Sequence, residues 1–342
     1  MSIQTFSSTI RRREMDAVLT CMVEEKIGPG ELSQRLIQVT KENFGVDGAV
    51  ALRSPSIALR YALQALDIPK GSQIALSALA PYWQIVTLED LGYEPIVVDV
   101  VPETGIVNFE LVQKAATEGA KLLILHEPLG LVPDFDALKE IGIPFIEDIS
   151  QSAGALYKEK TVGTFGVFSI FGLEEKDIVT AGGGAMLMAS ERRDWIVLKR
   201  LTDKIPSTDI LPDINAALAL VQLKEFPRNE EVRRGIYEVF YRSLMQGKHK
   251  TCVNLVEHAD KVVYSFPVIL NSGYKEVKQY TSRKDIEITP AFEETVVALR
   301  EESLEHCTHA RSLRLRCVLF PLYPRLGAKN SEKIAKILAT LP

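Results

Sequence analysis

Aromatic side chains make up only 7% of the chain, and cysteine occurs four times in 342 residues. Cys21, Cys252, Cys307 and Cys317 are too few and too far apart for a disulfide framework, so they read as reduced thiols of a cytoplasmic protein. No apolar run reaches the length that crosses a bilayer. The N-terminus, MSIQTFSSTIRRREMDAVL, has no apolar segment before a small-residue cleavage site, so no signal peptide is expected. Positive charge is not in excess: 40 Lys and Arg stand against 45 Asp and Glu, a net charge of −5, and the basic residues are scattered. Nucleic acid and membrane are therefore not expected as partners. The nucleotide fingerprints GxGxxG and GxxxxGK(S/T) are missing, and the triple glycine at 182–184 precedes an apolar run instead of opening a helix. Repeats and low-complexity tracts are lacking as well.

What remains is the composition of a soluble globular protein, 46% apolar and 25% charged. At this length a large domain with a smaller companion is expected. From residue 48 to 190, short apolar runs alternate with helical spacing. The runs are GAVAL (48–52), QIALS (73–77), EPIVVDV (94–100), KLLILHE (121–127), PFIEDI (144–149), FGVFSIF (165–171) and GAMLMA (184–189). Being apolar on both faces, they suit a covered, mostly parallel seven-stranded sheet, with helices over 55–67, 82–91, 109–118 and 135–141. The fold class is α/β. A long helical stretch, 213–246, links this large domain (1–235) to a smaller α+β C-terminal domain (236–342), with helices expected around 292–304 and 330–340.

Ligands of an open parallel sheet bind beyond the carboxyl ends of its strands. After the first run comes Arg53-Ser54-Pro55-Ser56 and a helix start, which is either a phosphate site or a simple cap by Ser54. Asp148 leaves the fifth run, followed by Ser150 and Gln151; its carboxylate could bind a ring nitrogen, a ribose or a metal, or merely cap a helix. His126 ends the fourth run, where lining the cleft and satisfied core packing are equally open. Lys176, in an EEKD run after the sixth, is either a solvated charge or a nucleophile able to form a Schiff base. His306, Cys307 and His309 imitate part of a metal site, but no further ligand cluster accompanies them and no metal is expected.

Order and spacing decide among these signals. Seven segments resemble, in sequence, the motifs of the DegT/DnrJ/EryC1/StrS sugar aminotransferase family of fold type I pyridoxal-phosphate enzymes. They are IGPGELSQRLIQVTKENFG (27–45), SPSIALRYALQAL (54–66), GYEPIVVDVVPETG (92–105), LHEPLGLVPDFDAL (125–138), FIEDISQSAGALYKEKTVGTFG (145–166), NAALALVQLKEF (215–226) and HARSLRLRCVLFPLYPRL (309–326). The resemblance implies pyridoxal 5'-phosphate as cofactor, with Asp148 paired to its ring nitrogen, Gln151 beside its phenolic oxygen, and Ser54 and Ser56 at its phosphate. It also implies an aromatic stacked on the ring, Tyr82 or Trp83, and Lys176 as the covalent attachment point. Homodimers with a shared site, a keto sugar or sugar nucleotide as substrate and an amino acid as donor are implied too.

Lys176 lies 28 residues after Asp148 and keeps the family's spacing to Gly183 and Gly184. The family's phosphate-binding Ser is less regular here: Ser169 stands seven residues before Lys176, so either the loop carries an insertion or Gly172 occupies the Ser position. A third registration, ranked last, puts Glu174 where the lysine belongs. Pro55 removes one N–H donor to phosphate, and two sugar-binding segments of the family are not visible in KIPSTDILPDI (204–214) and DIEITPAFEE (285–294). The leading expectation is a sugar aminotransferase, and a catalytically silent homologue is the alternative. A dehydratase of the family usually has His at the lysine position, and none occurs near 176.

Overall fold

Seven apolar runs become seven strands of one sheet in the computed structural model, which describes residues 2–342. They are β1 (Gly48–Leu52), β2 (Gln73–Ser77), β3 (Glu94–Val98), β4 (Leu122–His126) and β5 (Phe145–Asp148). After a small hairpin, β6 (Leu156–Tyr157) and β7 (Lys160–Thr161), come β8 (Phe168–Gly172) and β9 (Ala185–Ala189). The sheet order is β1-β9-β8-β5-β4-β2-β3. Only β9 runs against its neighbours, β1 and β8. The carboxyl ends of β1, β8, β5, β4 and β2 therefore share one edge.

Helices fill the connections: α1 (Arg12–Val23), α2 (Glu31–Phe44), α3 (Pro55–Ala65), α4 (Tyr82–Asp90), α5 (Phe109–Glu118), α6 (Phe135–Ile141) and α7 (Arg192–Thr202). Residues such as Ala51, Leu76, Ile124, Ile146, Ile170 and Leu187 are fully buried between these layers, as parallel strands covered on both faces must be. The 32-residue α8 (Asp213–Leu244) then crosses the molecule. Its first residue, Asp213, accepts N–H groups of Gly30, Leu32 and Ser33, and so supplies the donors at the start of α2 with an acceptor.

The C-terminal part adds β10 (Ala259–Asp260), β11 (Phe266–Ile269), α9 (Tyr274–Ser282), β12 (Thr289–Pro290), α10 (Val296–Leu299), α11 (Thr308–Arg316), β13 (Cys317–Phe320) and α12 (Ala328–Leu338). A three-stranded sheet, β11-β13-β12, packs with Phe240 and Leu244 of α8 and with Ile334 and Leu338 into a second core. Position 235, the expected boundary, lies inside the unbroken α8. Phe292, Val297, Cys307 and Leu313 return to the large core. The single helix expected over 292–304 is only the four-residue α10 and a short 3-10 turn, because Arg300 leaves helical geometry between them. Helix α9 is not expected from the sequence, since it buries only Val277 and Thr281, too sparse an apolar stripe to read.

Candidate active site

Asp148, at the last position of β5, is fully buried and pairs in register with His126 of β4. Paired residues of neighbouring strands show their side chains on one face, and His126 Nδ1 lies 3.0 Å from Asp148 Oδ2. Gln84 Nε2 donates to the same oxygen at 2.7 Å. On the other oxygen, Oδ1, Ser150 donates both its backbone N–H (3.2 Å) and its hydroxyl (2.5 Å). These donors outweigh burial and hold the carboxyl below its ordinary range, so Asp148 is a buried anion.

The loop between β8 and β9 covers this anion. Ile178 N–H donates to Ser150 O, and Gly172 N–H to Ser150 Oγ. No side chain larger than hydrogen fits at Gly172, where a Cβ would overlap the Ser150 hydroxyl and the carboxyl of Asp177. Asp177 accepts Glu174 N–H, yet burial and then the neighbouring Asp148 and Glu174 charges push its carboxyl up to about 8. Lys176 is anchored through its backbone, whose carbonyl accepts the Tyr264 hydroxyl at 2.8 Å. Its side chain, 63% exposed, reaches Glu294 Oε1 at 3.4 Å. Glu294 O in turn accepts the N–H of Tyr82 at the start of α4. Through these contacts the Lys176 loop, the start of α4 and Asp148 meet at one edge of the sheet.

Ser54 and Ser56 follow β1 at the same edge, three strands from β5 and so about 14 Å away. Ser54 is the N-cap of α3, its Oγ accepting Ile57 N–H, and Pro55 is the first helical residue. Gln151 uses Oε1 to accept Leu129 N–H at 2.8 Å, which steadies a turn where Leu129 has φ 59°. Glu174 Oε1 accepts Gly184 N–H.

One expectation needs correction. Ser169 is 1% exposed, and its hydroxyl donates to Gly163 O in the segment that enters β8. It pairs with Glu147 while Ile170 pairs with Asp148, so it shows the opposite face of the sheet from Asp148. It is not available to a phosphate on that face. On α4 it is Gln84 that reaches the Asp148 carboxylate. Tyr82 lies under the Arg300 guanidinium, 5.7 Å from its ring centre, with Arg300 bound to Glu89 by two hydrogen bonds. Trp83 is half-buried against the large core.

His306 and His309 do not converge on a ligand. His309 stands beside Asp99, whose carboxylate accepts the N–H groups of His309 and Ala310, and Cys307 is buried. Among the described residues no three His, Cys, Asp or Glu side chains gather as a metal's ligand set, and no helix is long and apolar enough to cross a membrane. All four cysteines are buried and unbridged.

The fold recurs in solved structures. Superposition on the Helicobacter pylori aminotransferase PseC, involved in the biosynthesis of pseudoaminic acid, gives a TM-score of 0.88 at 16% identity, covering 99% of both chains. An E coli GDP-4-keto-6-deoxy-D-mannose-3-dehydratase with bound hydrated PLP gives 0.87 at 18% identity over 99% of both. The aminotransferase TlmJ from Streptoalloteichus hindustanus gives 0.87 at 18%, covering 99% of this chain and 97% of its own. At such identities the likeness speaks for the fold alone. The sequence goes further: it matches the model of the DegT/DnrJ/EryC1/StrS aminotransferase family over residues 8–339, and the chain belongs to that family.

Proposed function

We propose that the chain is a pyridoxal-phosphate-dependent aminotransferase that moves an amino group from an amino acid donor to a nucleotide-linked keto sugar. The observation that carries this reading is the buried Asp148 anion under the Lys176 loop. The residue types present suit the cofactor, with both oxygens of Asp148 already accepting two donors each. Asp148 is an acceptor held ionised, Ser56 lies at a helix N-terminus on the same sheet edge, and Lys176 brings a primary amine. Bound there, pyridoxal phosphate supplies the electron sink for amino-group transfer.

The chain's own residues then have distinct tasks. Asp148 would keep a proton on the ring nitrogen, because ring protonation and a buried anion stabilise each other. His126 and Ser150 hold that carboxylate in place. Ser56 and the first turn of α3 receive the phosphate, with Pro55 contributing no N–H. Lys176 Nζ, which is 63% exposed and lies on Glu294, would be the primary amine that holds the group and would carry protons at that amine. Glu174, an acceptor-only carboxylate, can do neither.

Borohydride reduction of the protein with added cofactor, followed by peptide mapping, tests this. The phosphopyridoxyl group is expected on Lys176, to vanish in Lys176→Ala, and to persist in Glu174→Ala. A label on another lysine, or none at saturating cofactor, would move the assignment to a catalytically silent homologue.

The same reading makes the protein a homodimer, since closed twofold dimers are the commonest oligomers and the family resemblance implies a shared site. Met15, Leu19, Met22 and Val23 form an exposed apolar row on α1 that a second copy would cover. Sedimentation equilibrium should give twice the chain mass; a monomer at micromolar concentration, with and without cofactor, would rule this out.

A further inference from the structure

Asp148 has no acceptor site left. An ionised carboxylate offers about four lone-pair positions, and here two donors sit on each oxygen. A protonated ring nitrogen would be a fifth donor, so one of the four has to leave.

Three of them are fixed. The Ser150 N–H is backbone. The Ser150 hydroxyl is itself held by Gly172 N–H. His126 is 3% exposed on β4, directly in register with Asp148. Gln84 differs from these: it comes from α4, on a long side chain, and the other end of its amide is unpaired. Its Oε1 is buried and finds no hydrogen-bond partner among the described residues. An orphaned acceptor of this kind raises the free energy of the arrangement that contains it. Exchanging the donors of Gln84 and the cofactor would free that amide to find partners for both ends.

We propose that Gln84 is an intramolecular competitor for Asp148: its carboxamide takes the place of the ring nitrogen in the cofactor-free protein and must withdraw when pyridoxal phosphate binds. This rests on the reading of Asp148 as the partner of the ring nitrogen. The consequence is a chain whose affinity for its cofactor is set from α4, by a residue that need not touch substrate. Gln84 is a positioning residue in this sense, because it acts through Asp148.

The test is a titration of cofactor-free protein with pyridoxal phosphate, read by quenching of tryptophan fluorescence, in the unmodified chain and in Gln84→Met. Methionine keeps the length of the side chain and removes the donor. The expected result is tighter binding by about tenfold, the scale of one hydrogen bond to a carboxylate, with thermal stability of the cofactor-free protein unchanged or raised. Gln84→Ala should shift affinity in the same direction, and decides the matter should Gln84→Met fold poorly. If the unmodified chain binds and neither variant binds more tightly, Gln84 is no competitor and this inference falls alone. Absence of binding in all three at millimolar cofactor would overturn both this inference and the functional reading beneath it. Binding confined to the variants would support the competition in its strongest form.

Discussion

Asp148→Ala is expected to leave little folded protein. The substitution takes away the acceptor of four donors, from Gln84, His126 and twice from Ser150, all within a site with no exposure at Asp148. A buried donor left unpaired costs about 1–3 kcal/mol, and the sum is roughly 4 kcal/mol or more. Set against the 5–15 kcal/mol, in order of magnitude, that holds an ordinary chain folded, that loss is severe. Asp148→Asn separates the structural task from the electrostatic one. Its amide oxygen still accepts while the negative charge is gone, so it should fold with a loss of about 2 kcal/mol. Amino-group transfer should fall by at least about a hundredfold, as when one preorganised electrostatic stabiliser is removed. Urea unfolding and single-turnover rates measure the two effects. An Asp148→Ala chain as stable as the parent, or an Asn variant of undiminished rate, would show that the anion is not the centre of this site.

Much of this arrangement was legible before the structure, for identifiable reasons. Parallel strands covered on both faces are continuous apolar runs with sharp ends, and all seven appear at the expected places. Asp148 was found because a carboxylate that closes an apolar run has to be satisfied by something. Lys176 is singled out by the family resemblance and its spacing to the glycines behind it, and its side chain is exposed and reaches Glu294.

What stayed hidden depended on side-chain direction and on contacts distant in sequence. Gln84 looked like one more residue of a helix, since nothing in YWQIVTLED tells which residue of the first turn faces β5, 64 positions away. Ser169 faces away from Asp148 because adjacent strand residues alternate between faces, a direction that counting residues back from Lys176 does not give. Glu294 and Tyr264, which anchor the Lys176 loop, come from the C-terminal part and have no local signature.

Thermal stability is expected to fall as pH rises from about 5 to 8, and Glu127→Gln should remove much of the fall. Glu127 and Glu147 are both fully buried. Glu147 accepts N–H groups of Gly163, Phe165 and Gly166, which suits an anion, while burial pushes it up to about 7 from an ordinary 4.5. Glu127 is raised well above its ordinary value, by burial first and then by the Glu147 charge. Its Oε2 accepts the Ser152 hydroxyl, and its Oε1 has no donor to accept from. A proton on Oε1 turns that orphan into a donor towards Glu147, so the pair keeps one proton between them. The half-buried Asp177, raised from 3.8 to about 8, adds to the same trend.

Each of these carboxyls holds its proton more tightly folded than unfolded. Their stabilising contribution is thus complete below the unfolded values near 4 and is lost as pH climbs through the folded ones. Asp148, shifted the other way, loses its contribution only as acid protonates it, well below this window. Glutamine at 127 keeps an acceptor for Ser152 and places an N–H where the shared proton was, so position 127 itself no longer titrates. The variant should therefore melt several degrees above the parent at pH 8 and differ little from it at pH 5, which differential scanning calorimetry across that range would show. A parent whose melting temperature is flat or rising over this interval, or a variant destabilised equally at both ends, would mean that no proton is held between Glu127 and Glu147.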